Sequence, residues 1–221
     1  MQRTNLISLL LLLAWNLSFC QKDRFEPEIR AFEKQDSVNG YKNDFVLLTG
    51  SSSIRLWHSM EADLKGLDVL NRGFGGSTLK ALNKDWNRIA GEHQPDVVVL
   101  YCGENDIAEG ATVEETVAEF NRFLDQYFKT YPDIPLIYVA MKPSLSRWHL
   151  WEAYQRADQE IKKVISEQEN ITFVDLSPSM FDDQGDLKKD IFIEDGLHMN
   201  ALGYDGWAGR LLPLIQSKVS Q

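Results

Sequence analysis

The stretch Asp96-Val-Val-Val-Leu-Tyr-Cys102 is hard to read as anything but a buried strand. It is apolar and rich in β-branched side chains, which suit a pleated, covered surface. Asp44-Phe-Val-Leu-Leu-Thr49 is a second such run. It is too apolar to alternate, which predicts a central parallel strand covered on both faces. Shorter runs at Leu67–Asn71, Ile134–Met141 and Ile171–Asp175 complete a set of five. Between them lie segments with helical spacing. Ile54, Trp57, Met60 and Leu64 predict a helix over 53–65, and Val117, Phe120, Leu124 and Phe128 another that starts after Thr112. Glu115, three residues past Thr112, predicts a capping box. Further helices are expected over 79–93, from about Trp151 to Gln168, and over 201–218. Strand and helix alternate with no composition break and no internal repeat. That predicts an α/β fold with an open, five-stranded parallel sheet and helices on both faces.

The ends of the chain bound what surrounds this domain. Arg3 precedes an apolar run from Leu6 to Trp15, and Ser18 and Cys20 are the small residues of a cleavage site before Gln21. The run is too short to span a bilayer, and the layout over 1–20 is that of a secretory signal peptide. Leu17-Ser18-Phe19-Cys20 also reads as a lipobox, which would anchor the chain at Cys20. The expected location is therefore periplasmic or extracellular, with a lipoprotein as the alternative. Residues 21–44 form a charged lead-in with a short helix from Glu26 to Lys34 and a turn over Asp36–Gly40. The formal charge of -10 repels nucleic acid and anionic membrane. The chain has two cysteines, Cys20 and Cys102, so no disulfide framework is expected.

In an open parallel sheet, sites form beyond the carboxyl ends of the strands. The unusual motifs all lie there. Gly50-Ser51-Ser52-Ser53 follows the first strand, Arg72-Gly73-Phe74-Gly75-Gly76 the second, and Gly103-Glu104-Asn105-Asp106 the third. Asp195-Gly196-Leu197-His198 follows the fifth. A hydroxyl nucleophile needs a base within hydrogen-bond reach and a third group to orient it. Among four histidines, His198 has a carboxylate three residues earlier that can reach Nδ1 and leave Nε2 free. His58, His93 and His149 lie on a helix, at the far edge and in an aromatic loop. Each motif has a plainer reading as well. Asp195 could cap a helix, Ser51 or Ser53 could cap the helix after the first strand, and Cys102 could be an inert core thiol. The serine loop could cradle the phosphate of a flavin, as in an FMN-binding electron carrier.

Taken together, Gly50-Ser51-Ser52, Asn71-Arg-Gly-Phe-Gly-Gly76, Gly103-Glu-Asn105-Asp106 and Asp195-Gly-Leu-His198 resemble the four blocks of the SGNH (GDSL-type) hydrolase family. The resemblance runs from about residue 45 to residue 221. It is closest to the branch resembling platelet-activating-factor acetylhydrolase catalytic subunits and lysophospholipase-like esterases. It implies a flavodoxin-like three-layer α/β/α sandwich. It also implies a nucleophile at Ser52, a base at His198 and an orienting acid at Asp195. The oxyanion would be held by the N–H of Ser52, the N–H of Gly76 and the side chain of Asn105. Such chemistry needs no metal and no organic cofactor. One residue departs from the pattern: Ser51 stands where the family has Asp, and is expected to take over its capping of the next helix.

The expected function is hydrolysis of a small-acyl ester, O-acetyl on carbohydrate, by an exported serine esterase. A lysophospholipase or acyl-thioesterase is the runner-up, and a non-catalytic glycan-binding protein a reading of another class. The loop Ser146-Arg-Trp-His-Leu-Trp151 follows the fourth strand, so Trp148 and Trp151 are candidates for a sugar-stacking face. Arg72, beside the glycine loop, is a candidate for a polar or anionic leaving group. Both Trp could instead pack the next helix onto the sheet.

Overall fold

A computed structural model describes residues 24–219. The expected signal peptide over 1–20, with Cys20, lies outside the described residues. The elements are α1 (Glu26–Asn39), β1 (Val46–Gly50), α2 (Ser52–Arg55), α3 (Met60–Asp63), β2 (Val69–Gly73), α4 (Leu79–Ala90) and β3 (Val97–Tyr101). They continue with α5 (Glu104–Ala108), α6 (Val113–Thr130), β4 (Leu136–Val139), α7 (Trp151–Ser166), β5 (Ile171–Val174) and α8 (Ala201–Val219). The five strands are parallel, in the order β2-β1-β3-β4-β5. This is the expected α/β three-layer sandwich.

Both faces of the sheet are covered because alternate side chains along each strand enter different cores. Leu47, Val98, Leu100, Leu136 and Tyr138 pack with Leu82, Trp86, Phe120, Phe123 and Ile161 on the side of α1, α4, α6 and α7. Val46, Leu48, Val97, Val99 and Ile137 pack with Ile54, Trp57, Trp207 and Leu211 on the side of α2, α3 and α8. The capping box of α6 forms as expected: Thr112 Oγ1 accepts from the N–H of Glu115, whose carboxylate accepts from the N–H of Thr112. Order reverses between β1 and β3, so the loops leaving these two strands diverge and open a crevice.

Three local expectations change. The helix expected over 53–65 is two short helices, though Ile54, Trp57, Met60 and Leu64 are all buried as its period required. The break has a cause: the Trp57 indole N–H and the Ser59 hydroxyl both donate to Asp63 Oδ2, at 2.7 and 2.6 Å, and draw the chain out of helix. The lead-in helix runs past the expected turn to Asn39, because Asp36 is buried inside it and paired. The chain turns instead at Gly40, with φ +75°. Gly103-Glu104-Asn105-Asp106, expected as a loop, opens into α5.

Candidate active site

Beyond β1 the chain turns at once. Gly50 has φ +120°, and a Cβ there would lie 2.0 Å from the Tyr101 carbonyl oxygen, so only glycine fits. Ser51 N–H donates to that same carbonyl at 2.9 Å, which ties the turn to β3. The three serines then separate by environment. Ser51 and Ser53 are fully buried, and their hydroxyls have no partner. Ser52 Oγ lies 2.8 Å from His198 Nε2. The expected capping of α2 by the Ser51 hydroxyl is not made. Nor do the loop's hydroxyls form a phosphate cradle, since Thr49 is buried as well and donates to the Arg72 carbonyl.

His198 Nδ1 lies 2.5 Å from Asp195 Oδ2. Asp195 Oδ1 accepts from the N–H groups of Leu197 and His198 at 2.8 and 2.9 Å, so the turn carrying the histidine is folded around the carboxylate. A proton on Nδ1, given to Asp195, leaves the Nε2 lone pair facing Ser52 Oγ. Partial burial pushes the Asp195 carboxyl up, but the bonds from His198 and from the two N–H groups outweigh it. The net result lies below the ordinary carboxylate range.

The expected oxyanion donors lie on the segments that leave β1, β2 and β3 at the carboxyl edge of the sheet. Among the described residues, nothing accepts from the N–H of Ser52 or of Gly76. Gly76 has φ +70°, and its neighbours are pinned from the lead-in. Gly75 N–H donates to the Glu28 carboxylate at 3.1 Å, and Arg24 Nη2 donates to the Gly76 carbonyl at 3.1 Å. Asn105 is buried; its Nδ2 donates to the Ser77 carbonyl and its Oδ1 accepts from Arg147 Nη1, both at 2.9 Å. Asp106 takes the N–H of Leu79 on both oxygens, at 3.1 and 2.9 Å, and so joins the start of α4 to the β3 loop. Burial pushes its carboxyl up to about 6, against the pull of those N–H groups.

A buried ion pair, which sequence reading missed, supports the histidine turn. Lys142 Nζ donates to the Leu197 carbonyl at 2.8 Å and lies 3.4 Å from Glu104 Oε2. Glu104 in turn accepts from the Tyr101 hydroxyl at 2.9 Å. The only sequence signal was a lysine closing an apolar strand, where a charge needs a partner.

Other candidates separate. Arg72 is not a substrate contact. It is fully buried and pairs with Asp36, with Gln35 Oε1 at 3.0 Å and the Phe32 ring beneath it. A side chain next to the glycine loop alternates to the opposite face of β2, so it points into the protein. Trp151 is partly buried against the α7-side core beside Phe181, and packs the helix rather than rimming the crevice. Trp148 is half exposed, and lines an open groove of about 1010 Å³ with Leu145, Asp182, Asp186, Lys189 and others. Cys102 is buried and its thiol is pushed well up by that burial, as an inert core residue. His58 and His149 are exposed, with no described contact to Ser52.

A five-stranded parallel sheet that sets a serine, an imidazole and a carboxylate in hydrogen-bonded series beyond its carboxyl edge has the build of an ester hydrolase. The chain belongs to the GDSL-like Lipase/Acylhydrolase family, whose model matches residues 37–205, and is thereby a carboxylic ester hydrolase. A stretch of 117 residues is 30% identical to the Acetivibrio thermocellus protein named "Putative endoglucanase X". The match covers 51% of this chain but only 46% of that relative. The fold is shared with the Streptococcus pneumonia structure named "a putative platelet activating factor", at TM-score 0.76 and 20% identity over 96% of this chain and 100% of that one. It is shared too with a GDSL-like lipase from Bacteroides thetaiotaomicron, at TM-score 0.65 and 17% identity over 86% and 97%. A carbohydrate esterase family 3 protein from Talaromyces cellulolyticus aligns at TM-score 0.58 and 18% identity over 81% and 98%.

Proposed function

We propose that the chain is an exported serine esterase that removes small acyl groups, chiefly O-acetyl, from carbohydrate. One observation carries the chemistry: the series Ser52 Oγ, His198 and Asp195, with contacts of 2.8 and 2.5 Å. Ser52 attacks the ester carbonyl carbon while His198 Nε2 takes its proton. Asp195 holds the imidazole in the Nδ1–H form and stabilises the imidazolium. The oxyanion is received by the N–H groups of Ser52 and Gly76 and by Asn105 Nδ2. His198 then protonates the departing sugar oxygen. Water, deprotonated by His198, hydrolyses the acyl-enzyme.

The substrate class rests on other support. The half-exposed Trp148 ring and the groove beside it, with Asp182, Asp186, Lys189 and Asp190 in its lining, suit a sugar face. Similar proteins include an acetyl esterase, a carbohydrate esterase and a protein named for endoglucanase activity. A second reading, an esterase of lipid acyl chains, is favoured by Leu145 and Ile193, which are exposed beside the Asp195–His198 turn. A series of p-nitrophenyl esters from acetate to palmitate separates the two. Highest kcat/KM on acetate supports the first reading, and a rise with chain length overturns it. Ser52→Ala is expected to abolish both hydrolysis and covalent labelling by a fluorophosphonate. Export with cleavage before Gln21 predicts that the mature protein begins at that residue, which N-terminal sequencing of the exported protein checks.

A further inference from the structure

Arg147 touches neither His198 nor Asp195, yet it ends on the one side-chain donor of the oxyanion site. Its Nη1 donates to Asn105 Oδ1 at 2.9 Å. The opposite end of that amide donates from Nδ2 to the Ser77 carbonyl at 2.9 Å. An amide flipped by 180° would turn its NH₂ toward a guanidinium and its oxygen toward a carbonyl, and would lose both bonds. With Oδ1 and one hydrogen of Nδ2 so engaged, a single N–H of Asn105 is left to point into the crevice. The guanidinium also places a full positive charge against the amide oxygen, which polarises that N–H toward an accepting anion.

The loop that carries Arg147 is fixed for this task. Ser146 N–H donates to the Gly196 carbonyl at 3.0 Å, and Leu145 packs on Gly196. Arg147 itself ends the loop just before a short 3-10 turn, Trp148–Leu150. Among the described residues, Arg147 makes no ion pair with a carboxylate, in a chain of net charge -10. The other charged or titratable groups near it are Lys142 and Tyr154, with Glu104 paired to Lys142. We infer that Arg147 is a positioning residue for the oxyanion site: it locks the Asn105 amide and charges it through Oδ1. This rests on the serine-esterase reading above.

The test is a double-mutant cycle on p-nitrophenyl acetate with Arg147→Ala, Asn105→Ala and the pair, each checked by thermal melting. Arg147→Ala is expected to lower kcat about tenfold with KM little changed, a part of the roughly 10²–10³ that a whole oxyanion donor supplies. In the Asn105→Ala background the same change is expected to cost almost nothing, since there is no amide left to hold. Arg147→Lys, which keeps a donor and the charge, is expected to recover part of kcat. An equal loss in both backgrounds, or a loss confined to KM, makes Arg147 a substrate contact and overturns the proposal. Fluorophosphonate labelling of Ser52 in the wild type, run alongside, reports separately on the esterase reading. If the wild type is not labelled, that reading fails first.

Discussion

Among the described residues there are two Asp–His pairs, and they are built in opposite ways. In the pair Asp36–His93, His93 Nε2 lies 3.0 Å from Asp36 Oδ1, and Nδ1 accepts from the Lys42 N–H at 2.9 Å. Both ring nitrogens are used, both residues are buried, and Arg72 pairs with the same carboxylate oxygen. Burial pushes the imidazole down, with Asp36 opposing. This histidine is a neutral strut between α1, β2 and the end of α4. In the pair Asp195–His198 the carboxylate takes Nδ1 and leaves Nε2 for Ser52. The residue types are the same. What separates a strut from a candidate base is which nitrogen stays free of a structural partner, and how deeply the ring is buried.

Substitutions sharpen that contrast in order of size. His198→Ala or Ser52→Ala is expected to cost roughly 10⁴–10⁶ in kcat on p-nitrophenyl acetate with the melting temperature little changed. An active Ser52→Ala variant, with loss instead in Ser53→Ala, would move the nucleophile. Asp36→Ala is expected to do the reverse. It strands the Arg72 charge in the core and costs about 3–5 kcal/mol of stability in urea titration. The kcat of the protein that stays folded should hold. A large kcat effect at full stability would make the strut part of the reaction.

Asp106 gives a smaller, pH-dependent effect. Burial pushes its carboxyl up to about 6 from the ordinary 3.8, so the fold favours the protonated form relative to the unfolded chain. The stability it contributes is full below about 3.8 and is lost as pH rises through about 6. Asp106→Asn is expected to flatten the stability profile across that window; an unchanged slope in urea midpoints from pH 4 to 7 would refute it. Ser51→Ala should do least. The hydroxyl is buried without a partner, so its loss is expected to shift stability by no more than about 0.5 kcal/mol either way. A clear loss of stability would show that the hydroxyl has a use.

Legibility in the sequence followed the range of the interactions. The strands could be read because burial on both faces leaves an unbroken apolar run, as in Asp96–Cys102. The Thr112–Glu115 box and the Asp195–His198 turn could be read because their partners are three residues apart. Ser52 could be picked from its neighbours by its place after Gly50, and its environment in the structure agrees. Arg72, on β2, was misread because its partner, Asp36, sits on α1, 36 residues away, and an arginine beside a glycine loop looks like a ligand contact. The break between α2 and α3 was missed for the same kind of reason, a Trp57–Asp63 bond that competes with helix. Lys142 and Arg147 were unreadable as supports, since what each of them holds is supplied by distant chain.

The lead-in also bears on how the enzyme meets a surface. Arg24 and Glu28 lie against the Gly75–Gly76 segment, at the open edge of the sheet. A bead or fusion partner joined ahead of Arg24 is therefore tethered on the side of the Gly75–Gly76 segment and shares that edge with an incoming ester. The end of α8 lies instead with Asp44, Gln94 and Asp133, which precede β1, β3 and β4 at the other edge of the sheet, so attachment there leaves that approach clear, and comparing the two orientations on an immobilised ester would measure how much the approach matters.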